Sequence, residues 1–272
     1  MEVMMFLKLV SIEWTRMSRR AMTWISLAVC AFYSGLVIWD YYLNNKRIEL
    51  MDGTAAAPGL SFDLATALDQ MLLLIPLLIL LTSLLMGSDY ANRTNQHWLM
   101  RAPRFMSLLA RFTTLALFTL LAELVVMISG GLTGFWCKVM VLRIPDVINV
   151  NWFQMLAAPF YMTLVNLPYI AMLIVIAVVV RSTFFSIVLG LGYNFFLEYL
   201  LTAIFHGAGW TKWLITNVYF SVSFLLNGIG DRSVATPGHI LTPGPALITS
   251  AVYTMVFLAL AVWIYRRQDV GG

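Results

Sequence analysis

Six runs of roughly 20 apolar residues, separated by short polar connections, decide what this chain can become: residues 21–43, 68–86, 107–131, 155–180, 184–205 and 246–265. A helix rises about 1.5 Å per residue, so about 20 residues cross a hydrocarbon layer about 30 Å thick, and each run is one crossing long. Inside lipid no water serves the backbone N–H and C=O groups, so a crossing segment must satisfy them internally, as a helix does. Of the 272 residues 61% are hydrophobic and 11% charged, less than half the charged share of about 25% in a soluble domain. The expected fold is an all-α integral membrane protein of six transmembrane helices, a single domain over residues 1–272.

The flanking segments refine this layout. Residues 1–20 carry Glu2, Lys8, Glu13, Arg16, Arg19 and Arg20, too polar for a signal peptide, and the apolar run that follows is too long for its hydrophobic core, so the first span is expected to be retained. Phe6, Val10, Trp14, Met17 and Ala21 recur every three or four residues, which predicts an N-terminal amphipathic interfacial helix with this stripe in the membrane surface. Residues 206–245 form an extracytoplasmic segment in which Thr216, Asn217, Ser221 and Ser223 interrupt the apolar pieces, the pattern of a short re-entrant or interfacial helix before span six. Loops 44–67 and 228–245 contain Gly53, Pro58 and Gly59, and Gly228, Gly230, Pro237, Gly238, Pro243, Gly244 and Pro245, and neither is expected to be regular throughout. The Arg181-Ser182-Thr183 turn is short enough to make its two flanking helices antiparallel neighbours.

Positive charge orients the chain. With the N-terminus inside, the cytoplasmic side holds Lys8, Arg16, Arg19, Arg20, Arg93, Arg101, Arg104, Arg111, Arg181, Arg266 and Arg267, 11 of the 17 basic residues. Both termini are then cytoplasmic in a multi-pass protein of the cell membrane. The net charge of +4 is this topology signal and implies no nucleic-acid partner. Enzyme chemistry lacks its usual motifs: there is no phosphate loop, no H-E-x-x-H helix and no G-x-S-x-G elbow. His97, His206 and His239 fall in three loops on both sides of the membrane, so no metal site is expected. Cys30 and Cys137 are too few for a disulfide framework.

The cytoplasmic loop over residues 87–106 is the informative stretch. It offers Asp89, then Asn92-Arg93-Thr94, then the apolar pair Trp98-Leu99, and closes with Arg101, Pro103 and Arg104 before Arg111 in the next span. An apolar pair in a water-facing loop calls for a partner groove or a lipid surface. This order of residues resembles the loop of ABC-2 type transporter permeases, as does the wider plan of a surface helix, six spans and a short basic tail. Arg93 and Phe105 depart from the pattern, which often has glycine and a small or basic residue there. The resemblance implies a permease without a motor of its own. A cytoplasmic ABC ATPase subunit would bind ATP and Mg and seat on Asp89, Asn92, Arg93, Thr94, Trp98, Leu99, Arg101, Pro103 and Arg104, and a second permease copy or a homologous sister permease would complete the pair. No cofactor is expected in this chain itself.

Two carboxylates fall inside apolar runs. Glu123 and Glu198 lie 16 and 14 residues from the cytoplasmic ends of their runs, roughly 24 and 21 Å deep. Such residues turn inward, pair or take up a proton. With Asn194 they are the candidate lining of a substrate path; the alternative is a protonated Glu bonded to a neighbouring helix. Pro76, Pro159 and Pro168 free carbonyls in their helices. The expected activity is outward export of an amphipathic or hydrophobic substrate such as a peptide, lipid or drug-like molecule. Two rivals stand beside it: an ion-coupled secondary transporter using the two Glu residues, and a non-transporting membrane assembly factor.

Overall fold

The computed structural model describes residues 2–45, 60–69, 74–91, 104–143, 152–205, 208–229 and 241–267, all helix and short connection. The helices in chain order are α1 (Glu2–Ser18), α2 (Ala21–Asp40), α3 (Leu60–Asp69), α4 (Leu74–Ala91), α5 (Arg104–Phe135), α6 (Trp152–Val180), α7 (Thr183–Gly192), α8 (Glu198–Ile204), α9 (Ile215–Ile229) and α10 (Pro243–Arg267). Single π-helical turns extend α2 (Tyr41–Asn45) and α5 (Trp136–Val141), and a third joins α7 to α8 (Tyr193–Leu197). Five helical stretches are long and apolar enough to cross a membrane: Ala21–Asn44, Phe105–Val141, Met155–Val180, Thr183–Ile204 and Gly244–Arg267. Their outer faces are greasy, with Phe196 75% and Met255 73% exposed, and Trp24, Trp39, Trp136, Trp210 and Trp263 are exposed near helix ends, where a membrane interface takes them. The protein is a multi-pass membrane protein.

Helix α6 is the most enclosed of the five and packs against α10, α5, α4 and α9. Proline at 168 leaves the Leu164 carbonyl without its helical donor, and Ser250 of α10 supplies one at 2.6 Å. Serines also join α2 to α5, Ser34 to the Val126 carbonyl at 3.0 Å and Ser129 to the Ala31 carbonyl at 2.7 Å. Such bonds hold helices together where lipid gives no hydrophobic drive. At the α1–α2 corner Thr23 and Trp24 donate to the carbonyls of Met17 and Ser18, which satisfies two of the acceptors that a helix end leaves open.

The ends of the bundle differ. At one end α1 packs on Met106 and Ala110 of α5, Arg20 donates to the Leu84 carbonyl of α4, and the Arg266 guanidinium lies 5.9 Å from the Phe105 ring. The first and last helices therefore meet the same end. At the other end Lys138 pairs with Asp63 at 2.8 Å with neither exposed, and the Tyr42 hydroxyl donates to the second Asp63 oxygen. The π turns of α2 and α5 deliver Tyr42 and Lys138 to this meeting point.

Three regions bear on the expected layout. Of the span expected over residues 68–86, residues 70–73 lie outside the described residues, and the described helices on either side are α3, up to Asp69, and α4, from Leu74. Asp63 pairs with Lys138 and seats α3 on α5, where Gly130, Gly131 and Gly134 receive Ala67, Leu64 and Asp63. So loop 44–67 carries regular helix from Leu60. The stripe Phe6, Val10, Trp14 and Met17, expected in the membrane surface, packs on the protein, and Val3, Met4 and Leu7 are exposed instead. Glu13 explains the rotation, since only a face turned to α5 brings it to Arg111. Finally, in the segment before span six, expected to hold a re-entrant or interfacial helix, α9 packs among α3, α6 and α10 with Val218, Tyr219 and Val222 buried, which an interfacial helix would not do.

Glycine 134 has no room for a methyl group, which would overlap the Asp63 carboxylate, whereas nothing lies within 4 Å of the position at Gly192. Gly134→Ala should break the buried ion pair and lower stability by about 3–5 kcal/mol. Gly192→Ala should leave stability unchanged or raise it by up to about 1 kcal/mol. Thermal unfolding of both variants in detergent checks the contrast.

Candidate functional site

Glu198 opens α8 directly after the Tyr193–Leu197 π turn. Residues five apart in an α-helix point about 140° apart, but in a π turn, whose bonds run from i to i+5, they stack. The Tyr193 hydroxyl accordingly donates to Oε1 of Glu198. From the opposite side come the first two N–H groups of α9: Ile215 at 3.0 Å to Oε1 and Thr216 at 2.8 Å to Oε2. These are donors that a helix start leaves unsatisfied, at the positive end of its dipole. The Thr216 hydroxyl donates to Oε2, and Tyr169 of α6 closes the ring, its hydroxyl 2.9 Å from Thr216 Oγ1 and 3.5 Å from Oε2. Every partner is a donor, the pattern that an acceptor-only carboxylate takes. Glu198 fastens the α7–α8 arm to α6 and to the start of α9.

Glu123 of α5 is bound less completely. Asn166 of α6 donates from Nδ2 to its Oε1 at 3.1 Å and also to the Met162 carbonyl at 3.0 Å. Glu123 Oε2 and Asn166 Oδ1 are buried with no hydrogen-bond partner among the described residues. Both are acceptors, and a proton on the carboxyl would supply the donor that they lack. Asn166 and Tyr169 are three residues apart on α6, so the two carboxylates meet that helix within one turn, about 4.5 Å along its axis. Among the described residues they share no hydrogen-bond partner. Asn194 lies in the π turn beside Tyr193 and is buried. Gly190, earlier in the same arm, lets Ile79 and Leu173 approach to 2.8 and 2.9 Å of where a Cβ would stand.

Of the loop residues, Asn92, Arg93, Thr94, Trp98, Leu99, Arg101 and Pro103 lie outside the described residues. Asp89 and Arg104 stand in the last turn of α4 and at the start of α5, and their side chains lie outside the described set too. The supports on both flanks are described. Arg111, 1% exposed, places Nε 3.2 Å from Glu13 Oε1 and Nη1 3.5 Å from the Met86 sulfur. Arg16 holds both Glu13 oxygens at 3.0 and 3.1 Å, and Arg20 holds α4 through the Leu84 carbonyl at 2.8 Å. Glu13 of α1 and Arg20 of the α1–α2 corner thus tie the beginning of α5 and the last turns of α4, the two helices from which residues 92–103 depart.

Sequence reasoning located Glu123, Glu198 and Asn194 but missed their partners Asn166, Tyr169 and Thr216, and missed Glu13–Arg111 and Lys138–Asp63 altogether. Two signals were available: Glu13 stands at spacing four between Leu9 and Met17, and Lys138 interrupts the apolar run Trp136–Val141. No family model matches the sequence, and no curated protein matches it either.

The two carboxylates should respond differently to amide. Glu198→Gln sets an NH2 group against backbone N–H donors and should cost about 2–3 kcal/mol, the scale of a hydrogen bond to a charged group. Glu123→Gln keeps an acceptor for Asn166 and adds the missing donor, so stability should fall by less than about 1 kcal/mol. Equal melting temperatures for the two variants would contradict this assignment.

Proposed function

We propose that the chain is the membrane-spanning permease subunit of an ATP-driven ABC-2 type exporter, moving an amphipathic or hydrophobic substrate outward. Both termini are cytoplasmic in the cell membrane, and the stretch that includes α4 makes a second crossing, for six in all. Support for the sixth comes from parity: α2 leaves the end of the bundle where α1 docks, and α5 starts from that same end, so the chain returns between them. The basic residues Arg16, Arg20, Arg111, Arg266 and Arg267 gather at this end, in keeping with a cytoplasmic face.

The observation that carries the reading is the α1 clamp. A loop that receives a partner's stroke must pass displacement to its helices, and a loop whose two ends yield independently would absorb it. Here Arg111–Glu13 binds one end to α1 and Arg20–Leu84 binds the other to the α1–α2 corner directly after it. Helix α4 in turn packs on α6, the helix that holds both buried carboxylates, so α6 links the loop to the polar level of Glu123 and Glu198. The ATPase subunit takes residues 89–104 as its seat, Trp98 and Leu99 as anchors, and a second permease completes the complex.

Ion coupling is the second reading, favoured by the two unpartnered acceptors of Glu123 and Asn166. It rests on Glu123 alone, because Glu198 is saturated by donors. Transport that continues in vesicles without any ATPase subunit would select it.

An aromatic anchor in a partner groove is worth about 2 kcal/mol or more, roughly thirtyfold in affinity. Trp98→Ala with Leu99→Ala should therefore release the ATPase on copurification from native membranes and leave the permease inserted, while Arg101→Ala alone should change retention less than about fivefold. Unchanged retention in the double variant would remove the loop as the seat.

A further inference from the structure

Where α5 meets α6, Glu123 and Asn166 are both fully buried. The Asn166 amide nitrogen donates to Glu123 Oε1 at 3.1 Å and to the Met162 carbonyl at 3.0 Å. Both partners are acceptors, which fixes the orientation of the amide, because turning it over would set its oxygen against a carbonyl. Glu123 Oε2 and Asn166 Oδ1 are then the open atoms, each two bonds from one end of the 3.1 Å contact and without a hydrogen-bond partner among the described residues. We infer that Glu123 and Asn166 form a proton-binding site, filled in the resting protein, in which Glu123 is a neutral carboxylic acid and its hydroxyl is held by the Asn166 oxygen.

Two observations select a proton as the ligand. The first is the match of donors to acceptors. A carboxylic acid and a primary amide are complementary through two hydrogen bonds, N–H to one oxygen and O–H to the other. The N–H bond is present, and the atoms of the O–H bond are the two that stand open. One proton taken up from water satisfies both of them and needs no further space. A hard metal ion would need about six oxygen ligands, against the two open here. The second observation is charge. Helices α2, α3, α4 and α6, which pack around α5, hold no basic residue, and those of α1 and α10 stand at the end of the bundle where α1 docks. On α5 and its π turn, Arg111 lies about 18 Å from Glu123 in one direction and Lys138 about 22 Å in the other, and Glu13 and Asp63 hold them. The Cys30 thiol of α2 lies close enough to interact with the carboxyl, but a thiol brings no positive charge in either of its states. A carboxylate here would be a buried charge without a counter-charge among the described residues, which a bilayer interior penalises heavily. The site rests on neither transport reading: an ATP-driven permease and an ion-coupled carrier would both start from the filled state, and only the carrier would empty it in each cycle.

Infrared difference spectroscopy of the full chain in nanodiscs tests the site, because a protonated carboxyl has a C=O stretch apart from the bands of carboxylates and amides. In neutral sodium buffer, wild type minus Glu123→Gln should show one acid band that moves to lower frequency in heavy water. Wild type minus Glu198→Gln should show carboxylate bands in its place. Asn166→Leu removes both bonds to the amide and should keep the acid band but move it to higher frequency. Glu123→Gln has the shape of the neutral acid and carries the test even if Asn166→Leu does not fold. Carboxylate bands in the Glu123 difference spectrum would overturn the proposal. Bands that shift when sodium is exchanged for N-methylglucamine would then assign the site to a metal cation, and bands indifferent to the exchange would leave a water molecule as the donor. An acid band that belongs to Glu198 and not to Glu123, or one that Asn166→Leu leaves unmoved, would overturn it equally.

Discussion

An arginine side chain keeps its charge in every protein environment, so one buried within a helical bundle must meet a carboxylate or the bundle will not close. Arg111 is that residue here, and Glu13 is what it meets. The pair explains why α1 is a component of the bundle and not an attachment lying on it. It sets the face that α1 turns inward, places Leu9 and Met17 beside α5, and brings Arg20 to the last turns of α4. Removal of one partner from such a pair costs about 3–5 kcal/mol, which is a large share of what holds a domain together.

The same logic recurs along the bundle. Several polar groups inside the apolar runs recruit a partner from elsewhere in the chain, and the recruited partner fixes a helix. Lys138 recruits Asp63 and seats α3 on the glycines of α5. Proline 168 frees a carbonyl and Ser250 fastens α10 to it. Glu198 recruits the start of α9 and two tyrosines. Glu123 is met less completely, since among the described residues one of its oxygens and its partner's side-chain carbonyl have no donor. In a chain whose other buried charges are so fully met, this is the place where a proton or a passing substrate would change the local energy most.

Long-range period in the sequence was enough to read the helices, because a run of 20 apolar residues has only one stable form in lipid. Ala21–Asp40, Arg104–Phe135, Trp152–Val180 and Pro243–Arg267 follow their runs closely for that reason. The seating of α3 on α5 was not legible, because hydropathy averages over Asp63 and carries no sign that Lys138, 75 positions later, will claim it. The inward face of α1 was misread for a related reason: Phe6, Val10, Trp14 and Met17 suit a lipid surface and a protein surface equally, and only Glu13 with Arg111 separates the two. Glu198 was visible as a charge in an apolar run, and a short helix was expected around Thr216, but nothing in the pattern shows that the first N–H groups of that helix meet the carboxylate. Partners of buried charges are set by tertiary contact, and pattern along the chain does not encode it.

The central claim is that α1 is locked to α5 by Arg111 and Glu13 and, with Arg20 at the corner that follows it, braces the helices on either side of residues 92–103. Amide hydrogen exchange in nanodiscs tests it most directly, comparing wild type, Arg111→Gln, and the charge-exchanged pair Glu13→Arg with Arg111→Glu. The account predicts slow exchange over residues 5–18 in wild type, much faster exchange there and at residues 84–91 in Arg111→Gln, and recovery of protection in the exchanged pair. Fast exchange of residues 5–18 in wild type, or protection that Arg111→Gln leaves untouched, would contradict it.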